Sequence, residues 1–191
     1  MAKAYVFLAN GFEDVEALIP VDVLRRGGVD VVTVSTLEDS QVVESAHGVK
    51  IVADAYFDEC NFDDADLLLL PGGMPGASNL YNHEGLRQAL VEHNAANRII
   101  GAICAAPAVV LGQMGLLEGV RATCYPGFER MLQGGHYTGA ICTVDGNITT
   151  GEGPAAAFSF AYSLLAQLVD EPTAQQIAEG MRFVHLMQGD R

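Results

Sequence analysis

Three short, almost unbroken apolar runs constrain this chain more than any other feature: residues 3–9 (KAYVFLA), 66–70 (DLLLL) and 98–103 (RIIGAI). Each is too short for a typical helix, and none alternates apolar with polar, as a strand with one wet face would. A strand buried on both faces reads this way, and such strands belong to parallel sheets covered on each side. Helical spacing lies between the runs. Residues 13–28 carry Val15, Leu18, Ile19 and Val23, open on Glu13 and Asp14 and stop at Gly27-Gly28, the acidic start and glycine end of a helix. Helices are also expected at 84–96, 105–115, 154–169 and about 173–187. Further strands are expected at 29–35 and near 121–124, 140–145 and 147–150, with a hairpin near 41–54.

Strand and helix in alternation predict an α/β protein: a flavodoxin-like, doubly wound, mostly parallel sheet with helices on both faces. The 191 residues show no linker, low-complexity tract or internal repeat, so residues 1–191 are read as a single domain. Half of the residues are hydrophobic, enough for a sizeable core. The net charge of −14 repels phosphate backbones and argues against nucleic-acid binding, leaving neutral small molecules as the natural substrates. The acidic residues Asp58, Glu59, Asp63, Asp64 and Asp66 read as a solvated loop. No apolar stretch reaches the roughly 18 residues of a membrane span, and the start lacks a signal-peptide pattern. A cytoplasmic location is expected, with Cys60, Cys104, Cys124 and Cys142 as free thiols. Their spacing matches no metal site, so neither metal nor cofactor is expected.

In doubly wound folds ligands bind at the carboxyl ends of the strands. That rule selects residues 10–16, 71–76 and 104–107. In Gly101-Ala-Ile-Cys104-Ala-Ala-Pro107, small residues permit a sharp strand-to-helix turn that would present Cys104 to a helix N-terminus, a setting that favours thiolate. The same residues suit a cysteine simply buried at a strand end. Pro71-Gly72-Gly73 allows close backbone approach and could aim N–H groups at an oxyanion, or be a plain loop. Glu16, in the first turns of the 13–28 helix, could face the cysteine and hold a proton there, although by itself it reads as a surface residue. His83 and His93 read as loop or helix-surface residues, and His136 as structural.

Taken together, GFEDVE (11–16), LLLLPGGMPG, AICAAP, HYTG (136–139) and GEGPAAAFSFA (151–161) closely resemble the ThiJ/PfpI superfamily, in order and over nearly the whole chain. They are most similar to its branch of protein deglycases and glyoxalase III-like proteins. The resemblance implies a homodimer, a reactive Cys104, a protonated carboxyl partner in Glu16, and an oxyanion held by the backbone N–H groups of Gly73 and Ala105. It implies a cofactor-independent glyoxalase or deglycase acting on methylglyoxal, glyoxal or their adducts. A non-catalytic redox sensor or stress chaperone is the alternative. The related proteases carry a His directly after the nucleophile; Ala105 stands there, which argues against a peptidase or amidohydrolase. Two positions depart from the pattern: Tyr125 stands where relatives often have a His near the cysteine, and His47 where they often have an Arg that reaches across the dimer. Tyr125, His47 and Gly72 are candidate substrate-contacting or supporting residues.

Overall fold

The computed structural model describes residues 1–189. In chain order the elements are β1 (Lys3–Leu8), α1 (Asp14–Arg26), β2 (Asp30–Ser35), β3 (Val42–Glu44), β4 (Lys50–Val52), β5 (Ala55–Tyr56), β6 (Leu67–Leu70), α2 (Gly76–Asn82), α3 (Glu84–Ala95), β7 (Ile99–Ile103), a π-helical turn (Pro107–Gly112), β8 (Arg121–Ala122), β9 (His136–Tyr137), β10 (Cys142–Asp145), β11 (Ile148–Gly151), α4 (Ala157–Leu168), α5 (Glu171–Gly180) and α6 (Phe183–Gln188).

Seven strands form the main sheet in the order β10-β11-β7-β6-β1-β2-β5. Every pairing in it is parallel except β10 with β11. The three apolar runs supply its centre, and Leu67, Leu68, Leu69 and Leu70 are all fully buried. One helical layer packs α1 on α4 and α4 on α5; the other joins α2 to α3 and to the π-helical turn. Gly101 in β7 lets α4 approach closely: a Cβ there would lie 3.1 Å from both Leu164 Cδ1 and Phe160 Cζ.

Several expectations are corrected. Residues 105–115 do not form an α-helix; the chain turns through a wider π-helical segment, with Pro107 in its first turn where a missing N–H costs nothing. The expected last helix is two, α5 and α6, because Arg182 takes a left-handed φ of 64° between them. The inward face of α1 is Glu16, Ala17, Pro20, Val21, Val23 and Leu24, whereas Val15 and Leu18 face out. His93 is not a surface residue: it is buried, with Nε2 3.0 Å from the Ile99 carbonyl oxygen. The 41–54 hairpin is present as antiparallel β3 and β4, apart from the main sheet. It is tied to the start of α1 by Gly11 N–H to Glu44 O (2.8 Å) and Ala46 N–H to Phe12 O (2.8 Å).

Close packing at Gly101 has a measurable consequence. Gly101→Val overfills the β7–α4 contact and is expected to destabilise the fold by about 1–3 kcal/mol in urea unfolding. An unchanged midpoint would mean that α4 does not press on β7 as described.

Candidate active site

The carboxyl ends of β1, β6, β7 and β11 converge on one place. Cys104 follows β7 directly and adopts φ 64°, a conformation rare for a residue with a side chain and characteristic of a nucleophile elbow. Its backbone is held from two sides: its N–H donates to Gly151 O (2.9 Å) at the end of β11, and its carbonyl accepts from Tyr125 N–H (2.9 Å). The side chain is only 8% exposed. The backbone N–H groups of Gly73 and Ala105 lie beside the sulfur and act to lower its pKa.

Glu16 lies one turn into α1 and is fully buried. Its Oε2 accepts the Gly72 N–H at 2.9 Å. Its Oε1 is buried without a hydrogen-bond partner in the protein, and the carboxyl stands beside Cys104. Gly72 fills the gap between the two: a Cβ there would come within 2.6 Å of Glu16 Oε2 and 2.7 Å of Cys104 Cβ. Gly73, at φ +85°, is pressed against the chain before α1, where a Cβ would meet Glu13 N at 2.5 Å and Gly11 O at 2.6 Å. The glycine pair is therefore required by space at the first position and by space and φ at the second.

Burial holds the Glu16 carboxyl protonated up to about 7, with the nearby Glu13 charge adding to it. Burial pushes the Cys104 thiol up to about 12, reinforced by the neighbouring Glu16 carboxyl. The direction for sulfur corrects the expectation of a low-pKa thiol: a sheltered sulfur beside an acid outweighs the helix-end N–H groups that favour thiolate. Both shifts share one physical origin, so the pair titrates as a unit and two negative charges are strongly disfavoured in it.

The remaining predicted residues divide. Tyr125 joins the site through its backbone, while its half-exposed ring lies against Gly153 and lines a cavity of about 230 Å³ with Pro126, Glu152, Pro154 and Ala156. His47 sits on the β3–β4 turn, with Nδ1 2.6 Å from Asp14 Oδ2 of its own chain. That contact raises the His47 pKa. His136 is exposed on β9, and His83 caps α3 by accepting the Leu86 N–H (3.0 Å). No histidine among the described residues is hydrogen-bonded to Cys104. Among the described residues, one set of donors has metal-like proximity: ligand atoms of Glu13, Asp14 and His47 lie within 4.8 Å of one another. Glu13 is already the N-cap of α1 and Asp14 the partner of His47, so the set reads as the charged end of a helix.

Sequence reasoning missed the clamp on Cys104 by Gly151 and Tyr125. It is made of backbone groups, which no residue type announces. The expected placement of Glu13 at the helix N-terminus holds: Glu13 is the N-cap of α1, and the N–H its Oε2 accepts, at 2.8 Å, is that of Glu16.

A cysteine on a strained elbow, an acid buried against it and two backbone donors at one sheet edge define an elbow-cysteine protein on a flavodoxin-like sheet. The sequence profile of the DJ-1/PfpI family matches residues 2–167. The chain belongs to that family. It is 38% identical over 177 residues to Protein DJ-1 homolog B of Arabidopsis thaliana, covering 92% of this chain and 40% of that protein. The chain thus spans well under half the length of that relative. It is 32% identical over 158 residues to the glutathione-independent glyoxalase DJR-1.2 of Caenorhabditis elegans, covering 82% of each. The structure of Toxoplasma gondii DJ-1, oxidized, superposes with a TM-score of 0.91 at 35% identity, over 95% of this chain and 98% of that one. No helix among the described residues is long and apolar enough to cross a membrane.

A folded-state pKa near 7 for a carboxyl that ionises near 4.5 in an unfolded chain penalises the native state as pH rises. The contribution favours folding below 4.5 and is lost as pH climbs through 7. Glu16→Gln cannot ionise, so its stability relative to wild type should rise by about 2 kcal/mol between about pH 5 and pH 8 in urea unfolding. A difference independent of pH would contradict the assignment.

Proposed function

We propose that the protein is a cofactor-independent glyoxalase or deglycase acting on methylglyoxal, glyoxal or their adducts, with Cys104 as nucleophile and Glu16 as its proton partner. The observation that carries this reading is the fully buried Glu16 carboxyl standing beside the elbow cysteine across Gly72. The thiol is held above the Glu16 carboxyl, so in the reactive form the proton passes from sulfur to Glu16 as the substrate is attacked, and the backbone N–H groups beside the elbow offset the charge that sulfur then carries.

The chemistry then follows. The Cys104 thiolate adds to the aldehyde carbon, forming a C–S bond, and the carbonyl electron pair becomes an oxyanion. The N–H groups of Gly73 and Ala105 turn from sulfur to that oxygen, which the Glu16 proton neutralises to give a hemithioacetal. Glu16, now a carboxylate, removes the proton on the former aldehyde carbon and returns it to the adjacent carbon, while the hemithioacetal hydroxyl proton passes to the neighbouring ketone oxygen. The product is a thioester of the 2-hydroxy acid. Water hydrolyses it, releasing lactate from methylglyoxal and restoring the thiol and the acid. An amine-bound adduct would enter by the same attack after losing its amine. The similarity to the Caenorhabditis elegans glyoxalase supports this substrate class.

A redox-sensing role is the second reading. The same N–H donors and Glu16 suit an oxidised sulfur, and the oxidized Toxoplasma gondii relative is consistent with it. A homodimer is also proposed, with Val15 and Leu18 of α1 and Val42, Val49 and Val52 of the adjoining hairpin as its exposed apolar contact face. A second copy of this chain is the partner that covers it.

Three measurements test these points. Wild type should convert methylglyoxal to lactate without metal or glutathione, and Cys104→Ser and Glu16→Gln should each lose at least about 100-fold in kcat/KM. Near-wild-type turnover by Cys104→Ser would overturn the mechanism. After mild peroxide, mass spectrometry should find Cys104 oxidised ahead of Cys60, Cys124 and Cys142; the sensing role is abandoned if it is not. Light scattering should give twice the single-chain mass of 20.2 kDa, and a single-chain mass would refute the dimer.

A further inference from the structure

Glu13 belongs to the site although it touches neither sulfur nor the place a substrate would take. Its side chain is the N-cap of α1, with Oε2 2.8 Å from the N–H of Glu16. Its own N–H donates to the carbonyl of Gly72 at 3.0 Å, and the N–H of Gly72 in turn holds Glu16 Oε2 at 2.9 Å. Glu13, Gly72 and Glu16 therefore form a closed ring of hydrogen bonds. Gly73 seals it, since no side chain fits between that residue and Glu13 N. A neutral serine or threonine would satisfy the helix end equally well. This chain instead has a full negative charge one turn from a buried acid.

We propose that Glu13 is a positioning residue of this site: its carboxylate fixes the Glu16 backbone through the cap and sets a negative charge beside the acid that shares a proton with Cys104. This rests on the reading of Cys104 and Glu16 as a proton-sharing pair. Like charges nearby disfavour ionising Glu16, and the Glu13 charge acts on Glu16 in that sense. On sulfur burial acts first, and Glu16 is the charge that bears on it. The balance between carboxylic acid with thiolate and carboxylate with thiol therefore tilts toward thiolate. The other titratable groups facing this corner are Asp14 on α1 and His47 on the hairpin turn; they pair with each other, and the His47 ring stands near Glu13 as a partial counter-charge.

The test is the rate of Cys104 alkylation by iodoacetamide against pH, read by mass spectrometry, on wild type, Glu13→Gln, Glu13→Asp and Glu16→Gln. Glu13→Gln keeps an oxygen to cap the helix but removes the charge. It is expected to react about three- to tenfold more slowly at the plateau, with the acid limb of the profile moved about half to one pH unit lower. Both changes have the sign of a lost negative charge, and a loosened helix end would produce no shift of the limb. Glu13→Asp keeps cap and charge and should restore the wild-type profile. If Glu16→Gln alters the profile and Glu13→Gln does not, the inference about Glu13 is wrong while the pair stands. If Glu16→Gln leaves the profile as in wild type, the pair itself is wrong and the inference falls with it.

Discussion

The contact between a buried acid and a buried thiol organises this molecule. Water cannot reach either group well enough to pay for a second charge, so Glu16 and Cys104 compete for a single proton. Everything that fixes the two side chains serves to keep that competition geometrically exact. Gly72 exists as glycine because the two groups close on the space a Cβ would need, and Gly73 because the loop must also press against the start of α1. The strained backbone at Cys104 is held by β11 and by the Tyr125 segment, which together prevent the elbow from relaxing.

The sheet supplies the rigidity this requires. β1, β6 and β7 run parallel at its centre, and their carboxyl ends deliver the chain before α1, the glycine loop and the elbow to the same edge. Their sides are buried by helices on each face, and Gly101 brings α4 within contact distance of the strand that ends at the cysteine. Displacement of any one of these strands would move a donor, an acid or the sulfur. A site built from strand ends rather than long loops suits a mechanism that depends on one shared proton.

Much of this was legible in the residues. The apolar runs 3–9, 66–70 and 98–103 could hardly be anything but buried parallel strands, and small residues around Cys104 announced its turn. Glu16 was visible only by its helical register and by the family resemblance; no property of a lone Glu shows that it is buried. Other features were not legible. The π-helical turn after Cys104 differs from an α-helix by hydrogen-bond register, which apolar spacing over a few residues does not encode. His93 looks like a helix-surface residue until α3 is seen to lay it against Ile99. The sulfur was expected to be acidic because a helix-end environment is easy to infer from sequence, whereas the depth of burial that opposes it belongs to the fold. Glu13 reads as an ordinary helix cap, and its closeness to Glu16 matters only once Glu16 is known to be buried.

The most direct test of the central claim is where the shared proton resides. Difference infrared spectroscopy of wild type against Glu16→Gln, recorded from about pH 5 to pH 8 together with the ultraviolet absorbance of the thiolate, reports both partners at once. The account predicts a protonated carboxyl band assigned to Glu16 that gives way to carboxylate only as pH passes about 7, with any thiolate absorbance lost in Cys104→Ser. A Glu16 carboxylate already formed near pH 5 would contradict it.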